Sequence, residues 1–255
     1  MSINRKNIAS RYAVLAEDLA QQGIVIDEIK ERVKAQELET PSWGYGNSGT
    51  RFGVFKQSGA ARDVHERLSD AAQVHKLTGA CPSVALHIPW DKVDDYDALQ
   101  QEASELGVRI GAINPNVFQD AEYKLGSFGH RDANVRHKAL DHMHECIDIM
   151  QRTNSKVLSL WFADGTNYPG QDNLIRRKHD FETCLKATHD ALPDDSRMLI
   201  EYKFFEPAFY HTDVPDWGLA LLFANKAGPK AEVLVDLGHH PLCTNIEHIV
   251  ALLID

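Results

Sequence analysis

The chain has 255 residues, of which 43% are apolar and 25% are charged, and its formal net charge at pH 7 is -10. These values are ordinary for a globular protein that forms one large α/β domain or two small ones. The acidic balance argues against binding to nucleic acid or to an anionic membrane, because both require a basic surface. No stretch approaches the roughly 18 apolar residues of a membrane span, so we expect a cytoplasmic protein.

The four cysteines are far apart in the sequence, and no two of them form a C-x-x-C motif. They are Cys81, Cys146, Cys184 and Cys243. This spacing favours free thiols in a reducing compartment over a disulfide framework.

The N-terminal part of the chain, from about residue 6 to 38, has a helical pattern. Apolar residues recur at steps of three and four, and Gly23 interrupts the pattern before a second segment that Asp27 can cap. Pro41 then ends the pattern. We therefore divide the chain into a helical segment at 1–40 and an alternating part at 41–255.

In the alternating part, short apolar runs rich in β-branched residues are separated by amphipathic stretches. The predicted strands are 84–90, 108–114, 157–161, 198–203 and 232–237. The predicted helices are 59–77, 94–106, 132–152, 172–192, 216–226 and 245–253. Near-continuous apolar strands that alternate with helices are typical of parallel βαβ units.

Two of these strands end in a carboxylate. Glu201 closes one strand and lies on the same face as Lys203, and Asp236 closes the next and precedes His239 by three residues. Oxygen ligands with one imidazole suit Mn²⁺, Mg²⁺ or Co²⁺. The alternatives are a Glu201–Lys203 ion pair, a helix cap at Asp236 and a solvated His239, and three ligands do not complete a coordination sphere.

Polar or aromatic side chains also follow the other strands: His87, Trp90, Asn114, Asn116, Trp161 and Asp164. Taken singly, His87 fits a core histidine equally well, and Trp161 fits simple packing. Together they provide the aromatic faces and hydrogen-bonding groups that a sugar needs. By contrast, we interpret His142 and His144 as structural residues within a helix, with His142 exposed.

The chain resembles the L-rhamnose isomerases, which are xylose-isomerase-like TIM barrels, at four motifs: His87–Trp90, Leu158–Trp161, Ile200–Lys203 and Val235–His239. The similarity runs from the Trp-Gly-Tyr-Gly segment at 43–46 to the C-terminus. It implies a (β/α)₈ barrel with about six of its eight strands present, in which residues 41–46 form the first strand.

The resemblance implies an aldose–ketose isomerisation, with L-rhamnose to L-rhamnulose as the expected reaction, by a metal-assisted hydride shift. Glu201 and Asp236 match ligands of one divalent metal, commonly Mn²⁺, and His239 matches a ligand of a second, catalytic metal. Lys203 matches a residue that hydrogen-bonds the substrate near its carbonyl. Phe52 matches an aromatic that reaches a neighbouring subunit's site in a homotetramer. The remaining matches to substrate-binding residues are His87, Trp90 and Trp161.

The family pattern continues beyond the end of this chain through two more strands that supply further metal ligands. Six strands cannot close an eight-stranded barrel, so we expect the isolated chain to be inactive or nearly so. Two alternatives remain: a metal-dependent hydrolase or lyase on the same barrel, and a sugar- or partner-binding remnant without catalysis. Metal content and product analysis separate them.

Overall fold

A computed structural model describes residues 5–49, 54–166, 170–205 and 211–255. The chain falls into two compact units, Met1–Leu38 and Glu39–Asp255. In the described residues, no helix combines the length and apolar character needed to cross a membrane.

The first unit contains two helices, α1 (Arg5–Gln21) and α2 (Ile26–Lys34). Lys30 lies over the ring of Tyr12, with Nζ 4.7 Å from the ring centroid. Helix α2 begins one residue before Asp27, which therefore lies in the first turn and does not cap the helix. There its carboxylate has a favourable interaction with the helix dipole.

The second unit is built on one sheet of six parallel strands, which confirms the predicted α/β class. In chain order the strands of this sheet are β1 (Glu39–Pro41), β2 (Ser83–Ile88), β3 (Arg109–Pro115), β4 (Val157–Trp161), β6 (Arg197–Glu201) and β8 (Ala231–Leu234). Their spatial order is β1-β2-β3-β4-β6-β8, so each crossover adds the next strand on the same side. Two further strands of two residues each, β5 (Gly165–Thr166) and β7 (His211–Thr212), form an antiparallel pair.

Five helices connect the sheet strands, and a sixth follows the last of these strands, as predicted. They are α3 (Val64–Thr78), α4 (Tyr96–Glu105), α5 (Ala133–Arg152), α6 (Leu174–Ala191), α7 (Trp217–Ala227) and α8 (Ile246–Ile254). Asp or Asn side chains cap all six N-termini by accepting backbone N–H bonds. The core lies between these helices and the sheet, and every residue of β2 is buried.

Several element boundaries differ from the sequence prediction. The strand predicted at 232–237 ends at Leu234, so Asp236 lies two residues beyond the strand that it was predicted to close. The first strand ends at Pro41, and Ser42–Gly44 forms a 3₁₀ turn because the buried Ser42 hydroxyl donates to Asp91. Helix α3 begins only at Val64, where Asp63 accepts from the N–H of Glu66. The predicted helix at 59–77 was therefore too long at its start.

The side chain of Glu39, in β1, reaches residues of both β2 and β3. Its carboxylate accepts from the Ser83 hydroxyl at 2.5 Å and from the N–H of Ala112 at 3.1 Å. A Cβ atom on Gly111 would lie 1.4 Å from Glu39 Oε2, so any other residue there would displace the Glu39 carboxylate. This contact fixes the start of the sheet.

Candidate active site

Glu201, Asp236 and His239 form one cluster at the carboxyl end of the sheet. One ligand atom from each of them lies within 4.8 Å of the others. Glu201 is the last residue of β6, and Asp236 follows β8 by two residues, so parallel neighbours deliver both acids to the same edge. The structure therefore brings together the three residues that the sequence predicted as metal ligands.

The ring of His239 is held in one orientation by its neighbours. Its Nδ1 lies 3.1 Å from the carbonyl oxygen of Tyr202 and 3.0 Å from Glu201 Oε1. Both are acceptors, so Nδ1 carries a hydrogen and Nε2 presents its lone pair in the neutral ring. Nε2 lies 3.5 Å from Asp236 Oδ2. In metal sites, a hydrogen bond from the ring nitrogen that does not bind the metal orients the histidine ligand. In His239, Nδ1 makes such a bond and leaves Nε2 available.

The cluster places two carboxylates close together at a partly open edge. Burial raises the pKa of the Glu201 carboxyl above its ordinary value, while His239 opposes the increase and the nearby Asp236 adds to it. The Asp236 side chain is 40% exposed, whereas those of Glu201 and His239 are 14% and 16% exposed. Two carboxylates that meet at a partly open edge attract a cation.

An aromatic wall runs along the same ends of the strands. His87 stacks on Trp90 with ring centroids 3.9 Å apart, and Trp43 meets His87 edge-on at 5.3 Å. Phe118 bridges this group to Trp161, at centroid distances of 5.7 Å from His87 and 4.7 Å from Trp161. We call these five side chains the aromatic wall.

His87 is buried, and an ion pair behind it fixes its backbone. Asp91 accepts from the N–H of His87 at 2.7 Å and from the Arg67 guanidinium at 2.6 Å. Burial lowers the pKa of His87 to about 3, and the charges of His142 and Arg67 act in the same direction. The imidazole is therefore neutral near pH 7, with one nitrogen to donate a hydrogen bond and one to accept.

Two polar atoms of the aromatic wall are buried without a protein partner. In the described part of the chain, neither Nδ1 of His87 nor Nε1 of Trp161 finds a hydrogen-bonding group. Leaving such an atom unsatisfied is costly unless a ligand or water meets it. These atoms are available to bind hydroxyl groups.

A polar network fixes Trp90, the outer member of the wall. The indole Nε1 donates to Gln119 Oε1 at 2.8 Å, and that oxygen also accepts from Asn116 Nδ2 at 2.8 Å. The N–H of Asn116 in turn donates to His142 Nε2 at 3.2 Å. The wall is thus held from behind by hydrogen bonds.

Lys203 follows Glu201 by two residues and lies beside the aromatic wall. Its Nζ lies 5.6 Å from the centroid of the Trp161 ring, within range of a cation–π interaction. Its backbone N–H donates to the carbonyl of Val214 at 3.0 Å. Next to Val214, Asp213 pairs with the buried Arg177 at 3.0 Å from Nε, so this ion pair fixes the segment that holds Lys203.

The structure assigns structural roles to three other polar residues. Asp164 is fully buried and accepts from the hydroxyl of Ser127 and from two backbone N–H groups, and burial raises its pKa to about 6. Asn114 donates to the Leu86 carbonyl at 3.0 Å. His142 was predicted to be exposed, but its side chain is only 15% exposed because it bonds Glu145 and the loop after β3. The predicted binding residue Phe52 lies outside the described residues.

Sequence reasoning missed Phe118 as part of the wall and Asp91 as its support. Phe118 follows β3 after the two asparagines, at the strand end where ligand-contacting loops of such sheets lie. That position was the only available signal. The sequence contained no signal for Asp91, because its role depends on the contact with Arg67, 24 residues away.

The fold resembles that of xylose isomerase-like TIM barrels. A protein of that description from Mycobacterium smegmatis, solved in complex with magnesium, superposes with a TM-score of 0.54 at 13% identity, over 86% of this chain and 72% of that one. D-allulose 3-epimerase from Methylomonas sp. superposes with a TM-score of 0.56 at 13% identity, over 78% of this chain and 62% of that one. An AP endonuclease of family 2 from Brucella melitensis superposes with a TM-score of 0.60 at 14% identity, over 85% of this chain and 75% of that one. These likenesses show the fold.

In sequence, the chain is similar to two proteins described as probable sugar isomerases. One, from Rhizobium meliloti (strain 1021), is 46% identical over 98% of this chain and 60% of its own length. The other, from Mesorhizobium japonicum, is 45% identical over 95% of this chain and 57% of its own length. The chain thus spans about three fifths of the relatives it matches. No family model matches it.

Proposed function

We propose that the chain forms the larger part of a metal-dependent aldose–ketose isomerase that converts L-rhamnose to L-rhamnulose. The observation that carries this proposal is the cluster of Glu201, Asp236 and His239 beside the aromatic wall. The similarity of the chain to probable sugar isomerases supports the reaction class. The choice of L-rhamnose rests on the motif resemblance.

The donor set fits a divalent cation. Two carboxylates and one imidazole meet at a half-open edge, without a thiolate among the described residues of the cluster. Such ligands favour Mn²⁺, Mg²⁺ or Co²⁺, and we propose Mn²⁺. Glu201 and Asp236 would hold one ion, and His239 would offer Nε2 to a second. When bound, the metal supplies positive charge that polarises a carbonyl and stabilises an alkoxide.

The remaining side chains bind and orient the sugar. In the reaction, the hydrogen on C2 passes to C1 as a hydride, and the proton of the C2 hydroxyl ends on the C1 oxygen, so no oxidant is consumed. We propose that Lys203 donates a hydrogen bond to the carbonyl oxygen and that His239 acts with it in catalysis. Trp90 and Trp161 would exclude water, and the neutral His87 would bind hydroxyl groups.

The resemblance further supports a homotetramer in which Phe52 reaches a neighbouring subunit's site, and a cytoplasmic location. It also supports the division into a helical segment at 1–40 and the barrel part at 41–255. Size-exclusion chromatography with light scattering measures the assembly state directly.

The test of this function combines sugar binding with product analysis. The chain is titrated with L-rhamnose in the presence and absence of Mn²⁺, and tryptophan emission is recorded because three tryptophans lie in the aromatic wall. Prolonged incubations are then analysed by NMR for L-rhamnulose. We expect a fluorescence change that requires Mn²⁺ and, at most, slow formation of the ketose.

Two results contradict the proposal. Products that have lost water indicate a dehydratase on the same barrel. Sugar binding that is identical with and without Mn²⁺ indicates a binding protein that does not use the metal. A Trp161→Leu variant serves as the control for the fluorescence signal.

A further inference from the structure

Tyr202 contacts the loop that carries two of the three proposed metal ligands. It follows Glu201, the last residue of β6, and its side chain is only 1% exposed. Its hydroxyl oxygen lies 2.6 Å from His240 Nε2, and its carbonyl oxygen lies 3.1 Å from His239 Nδ1. One residue at the end of β6 therefore contacts two consecutive histidines in the loop after β8.

The loop from Asp236 to His240 is a tight turn, which we call the ligand turn. Asp236 Oδ1 accepts from the N–H of Gly238 at 2.6 Å, and the Asp236 carbonyl accepts from the N–H of His239 at 3.1 Å. These bonds fix Asp236 relative to His239. They do not fix the turn relative to β6, because the pairing of β8 with β6 ends at Leu234. Contacts between side chains and the end of β6 must therefore place the ligand turn.

The bond to the Tyr202 hydroxyl orients the ring of His240. The other ring nitrogen of His240, Nδ1, is buried and has no hydrogen-bonding partner among the residues that the structure describes. The phenol and imidazole rings meet edge-on, with centroids 5.3 Å apart and an interplanar angle of 80°. Because a hydroxyl group both donates and accepts, the bond forms with either tautomer of His240.

We propose that Tyr202 is a positioning residue for the cation site: its hydroxyl, through His240, holds the ligand turn at the distance from Glu201 that a divalent cation requires. This inference rests on the proposed metal-dependent function and adds the residue that sets the geometry of the site. The three ligand atoms lie within 4.8 Å of one another although they come from two strands, so the link between β6 and the turn maintains their spacing. Groups that orient metal ligands from behind contribute about 10–100-fold to metal affinity.

Tyr202→Phe tests the role of the hydroxyl, because it removes that group and keeps the buried ring. We expect it to weaken Mn²⁺ binding by at least about 10-fold, as measured by electron paramagnetic resonance of free Mn²⁺. Tyr123→Phe is the matched control. Tyr123 is also buried, but it lies in the 3₁₀ turn after β3 with Lys138 over its ring. Its loss of a hydroxyl should leave the affinity for Mn²⁺ unchanged.

Variants of His240 change the other partner of the bond and cover the case in which Tyr202→Phe fails to fold. His240 is half-buried in a loop, so its replacement should leave the fold intact. His240→Ala should weaken Mn²⁺ binding as Tyr202→Phe does, whereas His240→Gln, whose amide reaches the position of Nε2, should retain it. The double variant Tyr202→Phe/His240→Ala should bind no more weakly than His240→Ala, since both changes break the same bond.

A measurement on the metal-free protein separates this inference from the proposed function. NMR of isotope-labelled histidine reports which ring nitrogen of His239 carries the hydrogen, and the signal is assigned by its loss in His239→Gln. We expect a single Nδ1–H form in the wild type and a mixture of forms in Tyr202→Phe, because the ring is then no longer held against the Tyr202 carbonyl. A merely structural role of the hydroxyl would lower the free energy of unfolding and leave the Nδ1–H form unchanged.

Two results overturn the inference. One is a Tyr202→Phe variant that keeps the single Nδ1–H form of His239. The other, with a wild type that binds Mn²⁺, is an affinity that Tyr202→Phe leaves unchanged or that Tyr123→Phe lowers equally. A wild type that binds no Mn²⁺ contradicts the proposed function instead, and the form of His239 then decides the positioning role by itself.

Discussion

Trp161 and Glu201 lie directly opposite each other in the parallel pairing of β4 with β6. Trp161 is the last residue of an apolar strand and belongs to the aromatic wall, and Glu201 is the partly buried acid of the candidate metal site. Because β4 and β6 are neighbours and end at the same level, the aromatic ring of Trp161 and the carboxylate of Glu201 lie on adjacent strands. This adjacency is what a sugar requires of a site, since its carbon face and its oxygens need different partners.

Replacement of Arg177 should test the ion pairs behind Lys203. Arg177 is buried and pairs with both Asp172 and Asp213. Arg177→Ala leaves these carboxylates without their buried partner, so we expect a loss of about 3–5 kcal/mol in the free energy of unfolding. Urea denaturation measures it.

The neighbouring Arg176 provides the matched control. It also pairs with Asp172, but it is about one-third exposed, and both of its ion pairs join residues four apart in the sequence at the start of α6. Arg176→Ala should cost less than about 1 kcal/mol. Equal losses for the two variants would contradict the role assigned to burial.

The second prediction concerns the close contact between Gly111 and Glu39. Any Cβ at position 111 would overlap the Glu39 carboxylate, which must then move away from Ser83 and the N–H of Ala112. We expect Gly111→Ala to lower the free energy of unfolding by more than about 2 kcal/mol. Gly59→Ala is the control, because nothing lies within 4 Å of its added Cβ. If both variants unfold at the same urea concentration, the contact is not as described.

The third prediction is a pH dependence of stability that comes from His87. Burial lowers its folded-state pKa to about 3, below an unfolded value of about 6.5. Between these values the unfolded chain binds the additional proton, so the free energy of unfolding falls as the pH decreases from 6.5 towards 3. One such proton contributes a slope of up to about 1.4 kcal/mol per pH unit.

His87→Gln removes this titration. We expect the difference in unfolding free energy between the wild type and the variant to shrink steadily as the pH decreases from 7 to 5. Urea denaturation at several pH values measures the difference. A constant difference across this range would show that His87 is not buried as a neutral ring.

The sequence was sufficient to predict the last five strands of the sheet and the helices that follow them, because these strands are largely apolar and alternate with helical patterns. The first strand, Glu39–Pro41, is not apolar and was placed at 41–46 only through the resemblance, and the short strands β5 and β7 were not predicted. The sequence also predicted that Glu201, Asp236 and His239 meet, since the carboxyl ends of parallel strands share one edge. The turn at Ser42 could not be foreseen, because it depends on a hydrogen bond to Asp91, 49 residues away. Phe118 was missed for a related reason: its place in the wall depends on Trp161, which belongs to a different strand.

Mn²⁺ binding by the purified chain tests most directly whether Glu201 and Asp236 share a divalent cation, as we propose. Free Mn²⁺ is counted by electron paramagnetic resonance during titration of the wild type, Glu201→Gln and Glu232→Gln. Glu232 is the matched control, because it is an exposed carboxylate on β8 that pairs with Arg197. We predict that Glu201→Gln weakens binding by at least about 10-fold and that Glu232→Gln leaves it unchanged. Binding that survives Glu201→Gln, or that both variants weaken equally, would contradict the claim.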